Sequence, residues 1–166
     1  MSPLDILTSE DAETARRYVG RRKPDVIIAP DGEPYLYRWH VVRRERGANL
    51  YFHMPIADDP ARPLHDHPWQ NMSVILAGGY REILQHNPPF GAIQEVTRKP
   101  GDVIFRPAQY AHRLLMPDGV PYTLTQFSTG PKIREWGFWY PEGWVSWQDC
   151  TETSADGVSI HKRRQR

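Results

Sequence analysis

His65 and His67 stand two residues apart in "LHDHPWQNMSVILAGGY", Leu64 to Tyr80, and lead into an apolar run that stops at a pair of glycines. On a β-strand, residues i and i+2 share a face, with side chains about 6 to 7 Å apart along the strand. Two imidazoles so placed can converge on one ion at about 2.0 to 2.2 Å from each. Asp66, between them, must then point to the opposite side. The same parity, carried past a bend at Pro68, turns Asn71, Ser73 and Ile75 toward the histidine face. A His-x-His pair alone is weak, because a chain of this histidine content meets one by chance in roughly a quarter of cases. A polar strand edge therefore stays open beside a metal site. A third histidine, His112, follows in "PGDVIFRPAQYAHRL", at the start of a strand that comes after turns at Pro100-Gly101-Asp102 and at Pro107.

The elements around these residues read as short strands. Sixteen prolines and twelve glycines leave room for a long helix only near the start, where "LTSEDAETARRYVGRRK" has Thr8 or Ser9 as cap, acids in the first turn, arginines in the last and Gly20 as terminator. After Pro24, "DVIIA" has strand composition. "PYLYRWHVV" and "LYFHM", joined by "RRERGAN", read as a hairpin with Tyr37, Trp39 and Val41 on one face and Leu36, Arg38, His40 and Val42 on the other. "YREILQ", "IQEVTR", "DVIFR", "HRLLM" and "YTLTQFSTG" continue the series between Pro/Gly turns, and the spacing predicts a sandwich or barrel. "REWGFWYPEGWVSWQD" holds four of the six tryptophans and is expected to lie across one end or to bury a dimer face.

Length and charge narrow the function. A chain of 166 residues with 39% hydrophobic residues furnishes one core. Its expected division is a helical extension over 1–23, a barrel with the Trp-rich closing segment over 24–150, and a polar, then basic, tail over 151–166. The net charge of +1 gives no field that would draw nucleic acid or anionic lipid, so a small-molecule partner is expected. No apolar run reaches membrane-spanning length, and "MSPLDILTSEDAE" has neither the basic start nor the apolar centre of a signal peptide, which predicts a cytoplasmic protein. The single cysteine, Cys150, allows no intramolecular disulfide and no cysteine-rich zinc site.

Together the two histidine stretches resemble the cupin superfamily of small β-barrels. His65, His67, the position of Asn71 and Gly78 keep the spacing of its first motif; Gly101, Pro107 and His112 keep that of its second. Asp59 and Gln109 replace motif glycines, and Asn71 stands where most metal-binding cupins place a carboxylate ligand. The resemblance implies an all-β double-stranded β-helix, or jelly roll, holding one divalent metal through His65, His67 and His112. A three-histidine set without a carboxylate resembles that of thiol and diketone dioxygenases. It implies an iron(II) oxygenase acting on a small molecule, with Asn71 lining the open side and Arg81 fixing a carboxylate. The alternatives are a non-catalytic ligand-binding cupin and an isomerase or hydrolase using zinc, manganese or nickel, because imidazole suits several metals.

Other residues have plainer readings. His53 fits a fourth ligand, a donor orienting another imidazole, or a partly exposed strand histidine, with the last expected. Arg38 and Arg106 could anchor an anion, but an outward, solvated side chain is the default on alternating strands. Trp69 is close enough to His67 to wall the site, and Tyr51, Tyr80 and Tyr110 read as packing. A homodimer is expected from the excess of tryptophan between Trp136 and Trp147.

Overall fold

A computed structural model of the chain describes residues 2–29, 32–60, 63–153 and 159–161. After a 3-10 turn at Pro3–Ile6 comes α1 (Ser9–Val19), followed by β1 (Val26–Ile28), β2 (Leu36–Val42), β3 (Asn49–Pro55), β4 (Leu64–His65), β5 (Asn71–Ala77), β6 (Tyr80–Gln85) and β7 (Ile93–Arg98). The chain continues through β8 (Val103–Arg106), β9 (Ala111–Leu115), β10 (Leu124–Thr129), β11 (Gly137–Tyr140), β12 (Gly143–Ser146), the single turn α2 (Trp147–Cys150), β13 (Thr151–Thr153) and β14 (Ser159–His161).

The strands form two antiparallel sheets, β1-β2-β3-β10-β5-β8 and β12-β11-β4-β9-β6-β7, and a small β13-β14 ladder. Sequence neighbours repeatedly lie in different sheets. Pro68 and Trp69 carry the chain from β4 to β5, and Gly78-Gly79 carry it from β5 back to β6. That second crossing requires glycine. Gly78 has φ +72°, and a Cβ there would come within 2.3 Å of the Tyr122 carbonyl oxygen.

Side-chain alternation gives each sheet two distinct faces. Along β2 and β3, Trp39, Phe52 and Met54 pack against Ala15 and Val19 of α1 in the largest apolar cluster. Thr8 caps that helix and Gly20 ends it. The opposite face of the same strands, with Arg38 and His53, lines a cavity of about 630 Å³ whose far wall includes His65 and His112 of the second sheet. α1 thus backs one sheet and leaves its inner face to the cavity.

The Trp-rich segment forms the β11-β12 hairpin at the edge of the second sheet, with Phe138 opposite His65, and Trp136, Phe138 and Trp147 line the cavity. Its anchor is Asp66. This fully buried carboxylate accepts hydrogen bonds from Gly137 N (2.8 Å), Trp139 Nε1 (3.1 Å), Trp144 Nε1 (3.0 Å) and Arg134 Nη1 (2.5 Å). Of the tail, Thr151–Thr153 pairs with Ser159–His161, and residues 154–158 and 162–166 lie outside the described residues. Among the described residues no helix is long and apolar enough to cross a membrane.

Candidate metal centre

β4 and β9 pair so that His65 lies directly opposite His112. β4 ends at His65, yet the chain stays extended enough for His67 to return to the same side, with ring centroids 5.2 Å from His65 and 5.1 Å from His112. Asp66 points the other way, into the donors of the Trp-rich hairpin. One ligand atom from each of the three imidazoles lies within 4.8 Å of the others. His67 Nε2 and His112 Nε2 are 2.9 Å apart. Two nitrogens each about 2.1 Å from one ion and at right angles would be about 3 Å apart, so the donor set fits a divalent metal.

His112 is fixed from behind. Its Nδ1 lies 2.7 Å from Glu82 Oε1, and the carboxylate accepts the Nδ1 proton, which leaves the Nε2 lone pair facing the other imidazoles. Glu82 is wholly buried on β6 and is also gripped by Arg106 Nε and Arg98 Nε, each at 2.7 Å. Arg106, 1% exposed, reaches Ser73 Oγ at 2.9 Å and Tyr80 OH at 3.1 Å. Burial by itself would raise the Glu82 carboxyl, but His112 and Arg106 outweigh it and hold the group well below the usual carboxylate range. Burial would lower Arg106, but Tyr80 and Glu82 raise it overall, so the guanidinium stays charged.

Two of the triad imidazoles, His112 and His67, are held neutral, as ligation needs. Burial pushes His112 down to about 4 against the upward pull of Glu82. It also pushes His67 well below 6.5, helped by the neighbouring His112 and His65. These shifts predict acid lability. Histidines free in the unfolded chain take protons near 6.5, whereas the buried ones resist, so protons favour unfolding as the pH falls below that value. Each group contributes its full stability above pH 6.5 and loses up to about 1.4 kcal/mol per pH unit on the way down to its folded value. In excess chelator the melting temperature should be flat between pH 7 and 8 and fall steadily from 6.5 to 4.5. A scan that is flat over the lower range would contradict the assignment of neutral buried imidazoles.

Several expected site residues lie elsewhere. Arg81 does not reach the cavity: it alternates outward between Tyr80 and Glu82, and its half-exposed side chain pairs with Glu95 at 3.1 Å. Asn71 faces inward with Ser73 and is 2% exposed, but it does not line the cavity, and its amide atoms make no hydrogen bond among the described residues. His53 is buried and stands apart from the triad, accepting a hydrogen bond from Arg38 Nε at 2.8 Å. Trp69 does wall the cavity, 5.8 Å from the His67 ring. Glu82 was not singled out by the sequence. Its signal was a carboxylate at an inward position between Tyr80 and Leu84, where an ionised group must be paired.

No protein-family model matches the chain, and no curated protein sequence matches it. Solved structures do. The DMSP lyase DddQ from Ruegeria pomeroyi DSS-3 superposes with a TM-score of 0.52 at 19% identity, over 82% of this chain and 72% of that one. Fe(II) HppE gives 0.51 at 14% identity over 63% of this chain and 54% of that one, so the chain spans about half the length of HppE. A cupin superfamily protein from Desulfitobacterium hafniense DCB-2 gives 0.45 at 14% identity, over 68% and 93%. The two antiparallel sheets with the histidine triad on the inner wall, together with the likeness to DddQ and Fe(II) HppE, show a cupin-type jelly-roll fold.

Proposed function

We propose that the protein is an iron(II)-dependent oxygenase acting on a small molecule in the cavity between the sheets. The observation that carries this reading is the cluster of His65, His67 and His112, with His112 held by the Glu82 carboxylate. Iron(II) bound there would supply redox chemistry toward dioxygen, and three neutral ligands would leave its double charge available to an anionic or chelating substrate. Fe(II) HppE, a structural neighbour, carries that metal on a similar fold, which supports the choice of iron.

The chain's own residues do the rest. Glu82 fixes the tautomer and orientation of His112, and Arg106 keeps Glu82 ionised so that it remains an acceptor. Phe127, Trp69 and Phe138 lie within about 6.5 Å of the triad rings and exclude water from them. A cavity of about 630 Å³ falls within the usual range for small-molecule sites.

The test needs no knowledge of the substrate. Protein purified without oxygen and reconstituted with iron(II) should bind one iron per chain, and nitric oxide, which occupies the same kind of position as dioxygen, should give a high-spin iron–nitrosyl signal. Oxygen uptake should then be followed on a panel of thiols, diketones and aromatic diols. Stoichiometric iron with no nitrosyl signal and no uptake would leave a binding role. Preferential retention of zinc, manganese or nickel would favour isomerase or hydrolase chemistry.

A further inference from the structure

The inner wall of the first sheet carries a half-buried cation that the metal centre does not use. Among the described residues, carboxylates pair with Arg98, Arg106 and Arg134, and none pairs with Arg38, although Arg38 lines the same cavity as the triad. Its Nε donates to His53 Nε2 at 2.8 Å, and its guanidinium carbon lies 5.3 Å over the Tyr51 ring. Its terminal nitrogens make no hydrogen bond among the described residues. His53 is neutral, because burial and the adjacent Arg38 charge push it well below 6.5. The acceptor on Arg38 therefore brings no compensating charge. Burial lowers Arg38 itself, in contrast to the carboxylate-paired Arg106.

We infer that Arg38 is the anchor for a substrate carboxylate and that the molecule acted on is an apolar monocarboxylate. With Nε taken by His53, the two terminal nitrogens form a fork that matches the two oxygens of one carboxylate, and Tyr51 and His53 hold that fork in place before the ligand arrives. One guanidinium beside a neutral imidazole suits a single negative charge better than a phosphate dianion. The other charged groups on the cavity wall are Arg106, held by Glu82, Asp59, which accepts the backbone N–H of Leu114 at 2.8 Å, and Arg113, which follows the ligand His112 on β9 of the opposite sheet. The anchor communicates with the metal centre through packed rings. His53 stacks on Phe127 at 4.8 Å, and Phe127 lies 6.1 Å from His67. A molecule held at Arg38 thus extends past Phe127 toward the triad, with the stacked Trp136 and Trp147 lining the same cavity around an apolar body. This rests on the proposed metal-dependent reading for what happens at the other end, but the anchor itself is testable without metal.

Calorimetric titration with 3-phenylpropanoate, its amide and 2-phenylethylphosphonate, on protein as purified and in excess chelator, tests the anchor. The carboxylate should bind in both conditions, more tightly than the amide or the phosphonate. Arg38→Gln should weaken it by roughly ten- to hundredfold while leaving amide binding and metal content unchanged. Arg38→Lys, which keeps the charge and loses the fork, should fall between, and it carries the comparison alone if the glutamine variant does not fold. No measurable carboxylate binding at millimolar concentration, equal binding of acid and amide, preference for the phosphonate, or insensitivity to the Arg38 variants would each overturn the anchor. Carboxylate binding that disappears with chelator and ignores Arg38 would assign it to the metal instead. Failure of the metal reading appears separately, as absence of metal from protein that still binds the carboxylate.

Discussion

Glu82→Gln should lower the melting temperature by roughly 6 to 20 °C and weaken metal binding by about ten- to hundredfold. The two losses have different causes. Stability falls because Arg106, 1% exposed, would keep Ser73 and Tyr80 but lose the only carboxylate paired with it among the described residues. Removing one partner from a buried ion pair destabilises by about 3 to 5 kcal/mol, and a domain of this size shifts by about 2 to 4 °C per kcal/mol. Metal affinity falls because His112 Nδ1 would no longer face a carboxylate that fixes its proton on that side. The double variant Glu82→Gln, Arg106→Met separates them. It should recover more than half of the lost stability, since the fully buried Arg106 charge is gone and Arg98, which also loses Glu82, is partly exposed, while metal binding stays weak. Thermal unfolding of both variants in chelator gives the first quantity and competition with a chromophoric chelator the second. A single variant within 1 °C of the parent, or a double variant that regains metal affinity, would show that Glu82 does not act as described.

Asp66→Ala should destabilise by about 3 kcal/mol, which corresponds to roughly 6 to 12 °C. Asp66 is the shared acceptor of the Gly137 N–H, the Trp139 and Trp144 indoles and the Arg134 guanidinium, so alanine leaves several donors without it at once. A hydrogen bond to a charged group contributes about 1.5 to 3 kcal/mol, and relaxation of the partly exposed Arg134 offsets part of the sum. The consequence should reach the metal centre, because β11 pairs with β4 and Phe138 lies opposite His65. Loosening the hairpin should therefore release metal at lower chelator concentration even though Asp66 is no ligand. Hydrogen exchange should localise the change to β11, β12 and β4. A variant that melts with the parent, or whose faster exchange lies in α1 and β2, would contradict the role of Asp66 as the hairpin's anchor.

Spacing and alternation along the chain suffice for the local features. His65 and His67 converge because extended chain repeats every two residues, and Asp66 points away for the same reason. The helix limits at Thr8 and Gly20 follow from capping chemistry, and the strand series follows from β-branched runs between Pro/Gly turns. The match of two spaced motifs brought in His112, more than forty residues away, and with it the fold.

Which inward residues meet depends on how the two sheets close on each other. β4 and β5 are consecutive in the chain but belong to opposite sheets, so parity carried from His67 to Asn71 gave the burial of Asn71 and not a place on the cavity wall. Arg81, Arg106 and Arg38 looked alike as arginines on alternating strands. Their roles separated only when the sheets closed: Arg81 fell outside beside Glu95, Arg106 met Glu82 across the strands, and Arg38 faced the cavity with no carboxylate paired to it among the described residues. Alternation fixes the side on which a residue sits. Whether a buried charge finds its counter-charge depends on contacts between strands that are distant in the chain, and no local pattern encodes those.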